Sequence, residues 1–147
     1  MTKLLTEFST ILQSTPKRLV DIDDADAEKK PAAGRWSKKE ILGHLIDSAS
    51  NNHQRFVRAQ FASHSELPTY QQESWVAVQA YATESWPDLV NLWLLYNRHL
   101  LHVIRQIPEA ALGRPCTIGT NAAIPLAEVI QGYIDHLEHH LQQILGQ

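Results

Sequence analysis

Sulfur-containing residues are nearly absent from this chain of 147 residues, which has one cysteine, Cys116, and one methionine. No disulfide can form within the chain, and a bound metal would have to be held by imidazole rather than by thiolates. Cys116 lies in a predicted loop, and we interpret it as a small packing residue rather than a nucleophile. A chain with no possible internal disulfide is typical of a reducing compartment, so we expect a cytoplasmic location.

Positive charge and long apolar runs are also scarce. The chain has 13 Lys and Arg against 16 Asp and Glu, which gives a formal net charge of −3. A mildly acidic chain without a basic stripe is a poor match for nucleic acid or anionic membranes. No stretch approaches the ~20 apolar residues that cross a bilayer, and the N-terminus does not resemble a signal peptide. We therefore expect no nucleic-acid partner and no membrane association.

Several common catalytic motifs are missing as well. The six glycines are scattered, and they form neither a phosphate-binding loop nor the nucleophile elbow of the α/β-hydrolases. A chain of this length with 44% apolar residues can bury the core of one domain without help from a metal or a disulfide. We therefore predict a single domain over residues 1–147.

The spacing of apolar residues predicts an all-α chain built from three or four long helices. Their apolar stripes cover residues 4–13, 41–61, 89–107 and 126–145, and a short helix is expected over 73–82. Pro16 predicts a kink, or a second short helix, at the end of the first stripe. The segments 21–35 and 109–124 contain proline and glycine and are predicted to be loops.

Two helix starts are clearly marked in the sequence. Ser37 and Glu40 have the spacing of a capping box, and Trp36 is placed for a hydrophobic staple with Ile41. Ser85 is the predicted N-cap of the following long helix. Pro125 suits the first turn of the last helix, and Gly146 suits its end.

Histidine is abundant, with eight residues. His136 and His140 are four residues apart on the last predicted helix, so their side chains share one face and could bind one metal. His139 is the alternative partner of His136, but the apolar stripe through Tyr133 and Leu137 places it on a more exposed side. The segment is not an HExxH protease motif, because Leu137 occupies the position of the general-base glutamate.

Metals such as zinc need three or four ligands, and His44 is the best third candidate. It lies at the edge of the apolar stripe of the second long helix, next to Gly43, whose presence is easier to understand if another helix passes close by. Asp47, three residues further on, could orient a ligand and is our candidate for a supporting residue of the catalytic site. The alternative is that His44 is an ordinary interior histidine and that the pair His136 and His140 arose by chance.

Two segments resemble a known family. Residues 36–48, Trp-Ser-Lys-Lys-Glu-Ile-Leu-Gly-His-Leu-Ile-Asp-Ser, are similar to the opening signature of the DinB-like superfamily. Residues 136–140, His-Leu-Glu-His-His, are similar to its closing segment. The resemblance implies an up-and-down four-helix bundle, here with one or two short extra helices, and a divalent metal, most often zinc or nickel. Carried onto this chain, its ligands are His44, His136 and His140.

The resemblance also implies a range of activities. Characterised relatives include transferases and isomerases that use low-molecular-weight thiols, others are described as metal-dependent hydrolases, and homodimers are common. Several relatives have glycine where this chain has Asp135, so we expect the ligands to be kept and either the rim of the site or the residues that support the ligands to differ.

Two functions follow as hypotheses. The first is a metal-dependent enzyme, a thiol-dependent S-transferase or a hydrolase, that acts on a small electrophilic substrate at the three-histidine site. Arg55 and Arg98 are candidates for binding an anionic group of that substrate. The second is a non-catalytic, dimeric helical binding module whose metal site is vestigial. The other five histidines are expected to be solvated or interfacial.

Overall fold

The computed structural model describes residues 1–146 and has four long helices, α1 (Thr2–Val20), α3 (Lys38–Arg58), α5 (Trp86–Gln106) and α7 (Leu126–Leu145). Shorter elements connect them: α2 (Asp24–Glu28), α4 (Gln72–Gln79), α6 (Glu109–Leu112), a 3₁₀ turn (Tyr81–Thr83), and strands β1 (Ser65–Leu67), β2 (Pro115–Ile118) and β3 (Ile124–Pro125). The predicted all-α four-helix bundle is confirmed, although it has more short helices than the one or two expected.

The long helices pack in the order α1, α5, α3, α7 around the bundle. Helix α3 packs against both α5 and α7, and α1 closes the bundle against the same two helices. Helices α1 and α3, which are consecutive long helices, therefore lie diagonally opposite each other. This arrangement requires long connections, and the segments between the long helices are long enough to cross the end of the bundle.

The predicted helix starts at Ser37 and Ser85 are confirmed. The Ser37 hydroxyl accepts a hydrogen bond from the Glu40 N–H, and the Glu40 carboxylate accepts one from the Ser37 N–H, which completes the capping box. The Ser85 hydroxyl accepts from the Asp88 N–H at the start of α5. Pro125 is the N-cap residue of α7 rather than part of its first turn, and Gly146 ends α7 in the left-handed conformation.

The prediction of a second helix after Pro16 is wrong, because α1 continues through this proline as one element. Proline removes one backbone hydrogen bond from a helix interior. Leu12, Thr15 and Leu19 on either side of it are buried against the core, and this packing keeps the last turns helical.

The loop predicted over 21–35 contains the short helix α2. The Asp23 carboxylate caps it by accepting from the Asp26 N–H. Lys39 of α3, which is 2% exposed, pairs with Asp24 at 2.8 Å, and the other oxygen of Asp24 accepts from the Trp86 N–H at 2.7 Å. These contacts join α2 to α3 and α5, and they depend on residues that are distant in sequence.

The loop predicted over 109–124 is also more ordered than expected. It contains α6 and strand β2, which pairs in parallel with β1 and antiparallel with β3. Cys116 lies in β2 opposite Ser65 and Ile124, and it is fully buried. Burial raises the pKa of its thiol, which agrees with a packing role. The small sheet joins the segment after α3 to the segment before α7.

Tyr81 explains the glycine in α3. A Cβ built on Gly43 would lie 2.1 Å from the Tyr81 ring, so only glycine allows the 3₁₀ turn to pack this closely on the helix. Gly132 of α7 is the opposite case. Apart from its two chain neighbours and the nearby backbone of its own helix, residues 1–146 have no atom within 4 Å of such a Cβ. Across residues 1–146, none of the helices combines the length and the apolarity needed to cross a bilayer.

These two glycines give a matched prediction for stability. Alanine stabilises an open helix position by up to about 1 kcal/mol relative to glycine. We expect Gly132→Ala to raise the free energy of unfolding by roughly this amount, and Gly43→Ala to lower it because the Tyr81 ring has to move. Urea denaturation measures both variants. Equal stabilisation by the two substitutions would show that Tyr81 does not pack on Gly43.

Candidate metal centre

Three histidines from two adjacent helices converge at one point. His44 lies in the N-terminal half of α3, and His136 and His140 lie in the C-terminal half of α7. Each ring offers a nitrogen, and these three nitrogens lie within 4.8 Å of one another, the one such group of metal-ligating side chains in residues 1–146. The structure therefore brings together the three residues that the sequence selected.

The spacing of the rings suits a shared metal ion. The Nε2 atoms of His44 and His136 are 3.0 Å apart. Two nitrogens on one tetrahedral zinc, each about 2.0–2.1 Å from the metal, would be about 3.3 Å apart. A hydrogen bond between the His44 and His136 rings would also give a distance of 3.0 Å. Such a hydrogen bond would not account for the third ring, His140, whose nitrogen lies within 4.8 Å of the other two. The His140 ring centroid lies 4.9 Å from that of His44 and 4.5 Å from that of His136.

The surroundings keep these imidazoles neutral. Burial, together with the charges of the neighbouring histidines, lowers the pKa of His44 to about 3 and that of His136 to about 4. The pKa of His140 is lowered as well, chiefly by burial. Because a metal binds the neutral form of histidine, no proton has to be displaced from these rings near pH 7.

Gln143 orients His140, a role that the sequence analysis missed. The Nδ1–H of His140 donates to the Gln143 side-chain oxygen over 2.9 Å, which leaves Nε2 of the ring free as a ligand. The Gln143 amide nitrogen lies 3.0 Å from Nε2 of His139 on the exposed side of α7. His139 thus lies outside the cluster, as predicted. The spacing of four residues between His139 and Gln143 is the one sequence signal for the contact between these two side chains.

His44 is held mainly by packing. Its ring is fully buried, and the Trp36 ring lies against it with a centroid separation of 5.1 Å. The Nδ1 atom of His44 has no hydrogen-bond partner among the described residues. Trp36, which the sequence analysis treated as a helix staple, therefore also forms one wall of the histidine cluster.

The side chain of Asp47 forms its hydrogen bonds with residues outside the histidine cluster. Its Oδ1 atom accepts from the Tyr81 hydroxyl and from the Gln79 amide, each at 2.7 Å. Burial raises the pKa of this carboxyl group, while these two donors act in the opposite direction. Asp47 thereby anchors the segment after α4 to α3, and its proposed role beside a ligand stays a prediction.

The remaining histidines lie elsewhere. His53 lies 3.3 Å from the Tyr96 hydroxyl and packs edge-on against His99, and His64 lies 2.9 Å from the Thr117 hydroxyl. His99 and His102 are exposed on α5. Asp135 is exposed on α7 and accepts from the Gln131 amide. Its expected effect on the rim of the site or on the support of the ligands stays a prediction.

A cavity of about 360 Å³ opens beside the cluster, and His136 is one of its lining residues. Arg55, one of the two arginines selected from the sequence, also lines it, whereas Arg98 is exposed on α5 and does not. The other walls come from α3, from the segment after β1, from the sheet and from α7: Ser48, Asn52, Thr69, Tyr70, Gln72, Ile118, Ile124, Glu128, Val129, Gly132 and Tyr133.

The fold and the three-histidine cluster define a helical-bundle protein with a candidate metal centre between two helices. The family model of the DinB superfamily matches residues 7–144, and the chain belongs to this superfamily. Family membership, the cluster and the names of its relatives together support a metal-dependent function with a divalent metal.

Sequence relatives of similar length exist in Bacillus. A protein of Bacillus mycoides named "Putative metal-dependent hydrolase" is 22% identical over 142 residues, which cover 97% of this chain and 82% of that protein. A protein of Bacillus cereus with the same descriptive name is 25% identical over 141 residues, which cover 94% of this chain and 79% of that protein.

Solved structures share the fold. YfiT from Bacillus subtilis, described as "a probable metal-dependent hydrolase with an unusual four-helix bundle topology", superposes with a TM-score of 0.82 at 19% identity. The match covers 95% of this chain and 83% of YfiT. A mycothiol-dependent maleylpyruvate isomerase superposes with a TM-score of 0.78 at 17% identity, over 95% of this chain and 58% of that protein.

The cluster predicts a metal stoichiometry. We expect the protein to bind close to one transition metal per chain, and His44→Ala, His136→Ala and His140→Ala to weaken binding by well over tenfold, because each removes a ligand. Gln143→Ala should weaken it by roughly 10- to 100-fold through the orientation of His140. Elemental analysis and metal competition titrations measure both effects.

His102→Ala is the matched control, since it removes an exposed histidine of α5 that lies outside the cluster, and it should leave affinity nearly unchanged. Metal affinity that survives both His44→Ala and His136→Ala would contradict the assignment.

The Asp47 contacts predict a separate effect on stability. Tyr81→Phe removes a hydroxyl donor from a buried carboxylate, and we expect a loss of about 1–3 kcal/mol in the free energy of unfolding, with metal content unchanged. Tyr96→Phe, at the half-buried Tyr96, should have a smaller effect in the same denaturation experiment. Loss of metal in Tyr81→Phe would instead place Asp47 in direct support of the metal ligands.

Proposed function

We propose that this protein is a metal-dependent enzyme that acts on a small electrophilic substrate at the centre formed by His44, His136 and His140. The observation that carries the proposal is the convergence of three neutral imidazoles, from two helices, next to a cavity of about 360 Å³. Three protein ligands leave a coordination position open, which is typical of catalytic rather than structural sites. Zinc and nickel are the proposed metals, since both suit imidazole ligands.

A divalent metal held by His44, His136 and His140 would act as a Lewis acid and would lower the pKa of a water or a thiol beside it. The protein supplies the rest of the site. His136 lines the cavity, Gln143 orients His140, and Trp36 shields His44 from water. Tyr70 and Tyr133 give the cavity aromatic walls that suit a substrate with an apolar body.

A second cavity has room for a thiol. It has a volume of about 450 Å³ and is lined by Trp36 and Gln143, the residues that contact His44 and His140. None of the three histidines lines it, so the sulfur of a thiol held there would have to reach the proposed metal past Trp36 or Gln143. Arg35 and Glu73 line the second cavity and suit a polar, low-molecular-weight thiol. The thiol-dependent isomerase with the same fold supports this reading.

Hydrolysis is the second candidate. It needs one organic substrate and water, and the cavity beside His136 is sufficient for it. The names of the sequence relatives from Bacillus favour this reaction. The two candidates share the metal centre and differ in the nucleophile.

We also propose that the protein forms homodimers. Leu92 and Leu95 on α5 are 47% and 63% exposed, and such apolar side chains suit an interface. If the metal centre proves inactive, a dimeric binding module with a vestigial site is the remaining reading. Light scattering in solution measures the oligomeric state independently of activity.

The proposed reaction is tested with generic electrophiles. The protein, loaded with zinc or nickel, is assayed with a nitrophenyl ester alone and with a chloronitroarene plus a low-molecular-weight thiol. We expect saturable turnover of one of them, lost by at least 100-fold in His136→Ala and after metal removal, since the open position is needed for the nucleophile. Turnover of the ester without thiol indicates a hydrolase, and dependence on thiol indicates an S-transferase.

His102→Ala is a suitable control because it removes an exposed histidine that is distant from the cluster. Stoichiometric metal binding without turnover of either class of electrophile would contradict the enzyme proposal and favour the binding module.

A further inference from the structure

One face of α3 leads from the histidine cluster to a charged group. His44, Ser48, Asn52 and Arg55 are spaced by four, four and three residues, so their side chains follow one stripe of the helix. Ser48, Asn52 and Arg55 line the cavity beside His136. Eleven residues of helix separate His44 from Arg55 by roughly 16 Å along the axis. Arg55 and His136, one of the three proposed metal ligands, thus line the same cavity.

The protein holds Arg55 in place with neutral groups. Its guanidinium donates to the Pro68 carbonyl at 3.1 Å and to the Asn52 side-chain oxygen at 3.3 Å. Asn52 is 6% exposed, and its amide donates in turn to the Ser48 carbonyl at 2.9 Å. Arg55 is thus positioned by a chain of hydrogen bonds, and a guanidinium has five N–H donors, more than these two contacts use.

Arg55 forms none of the ion pairs among residues 1–146. Burial lowers the pKa of the guanidinium, although an arginine remains charged in proteins. The acidic residue that lines the cavity, Glu128, is exposed in the first turn of α7. A half-buried cation without a counter-ion favours an anionic ligand, which would restore the lost solvation.

We propose that Arg55 binds a carboxylate group of the substrate, whose electrophilic end then lies next to His136. This inference rests on the proposed function. A carboxylate is favoured over a phosphate because Arg55 is the one Lys or Arg side chain among the described residues that line this cavity. Ile118, Ile124 and Val129 add apolar walls for the body of the substrate. The substrate class is thus an elongated, apolar carboxylic acid with an electrophilic centre.

The test uses hexanoate as the probe, with hexanamide as its uncharged match. Isothermal titration calorimetry with the metal-loaded protein should show saturable binding of hexanoate and at least tenfold weaker binding of hexanamide. Arg55→Gln should weaken hexanoate binding by roughly tenfold or more, and Arg55→Lys, which keeps the charge but not the planar fork, by less. Arg98→Gln is the matched control and should bind hexanoate like the unaltered protein.

A carboxylate can also bind a metal ion, so the titrations are repeated after metal removal. The dependence on Arg55 should persist in the metal-free protein, and His136→Ala should retain it. Hexanoate binding that is absent, or equal in Arg55→Gln and the unaltered protein, would overturn the inference. Tighter binding of hexyl phosphate than of hexanoate would overturn the assignment to a carboxylate.

These outcomes separate the two proposals. Arg55-dependent binding of hexanoate in a protein that turns over no electrophile would count against the proposed function alone. Metal-dependent turnover without Arg55-dependent binding would count against the carboxylate site alone. Unfolding curves of Arg55→Gln and Arg55→Lys show whether either substitution disturbs the fold.

Discussion

The packing of α3 against α7 is the constraint on which the rest of the site depends. It buries His44 completely and places His136 and His140 beside it, where water cannot solvate charged rings well. The rings consequently stay neutral, and three lone pairs face the same small volume. Neutral imidazoles can satisfy one another only in part, because each offers a single N–H. A shared cation would accept one lone pair from each of the three rings at once, and the Nδ1–H of His44 would stay without an acceptor among the described residues.

The short elements of the fold shape the space around this point. Tyr81 packs on Gly43 and donates to Asp47, which fixes the segment after α4 across α3. The three-stranded sheet brings Ile118 and Ile124 to the opposite side of the cavity. Segments that connect the long helices thus build the walls of the site, while the long helices carry the ligands.

The features that could be predicted from the sequence are those with local causes. The spacing of His136 and His140 and the capping box at Ser37 and Glu40 act within one or two helical turns, and both are present as predicted. Helix α2 was not predictable, because its ion pair and its hydrogen bond to α5 join residues far apart in sequence. The contacts of Trp36 with His44 and of β1 with β2 likewise depend on tertiary packing.

X-ray absorption spectroscopy of the metal-loaded protein tests the central claim most directly, because it reports the ligands themselves. With zinc, the account predicts three imidazole nitrogens at about 2.0–2.1 Å and one or two further light-atom ligands from solvent. The imidazole contribution should fall by one in His140→Ala. A metal surrounded mainly by oxygen, or an imidazole count that the substitution leaves unchanged, would contradict a centre formed by His44, His136 and His140.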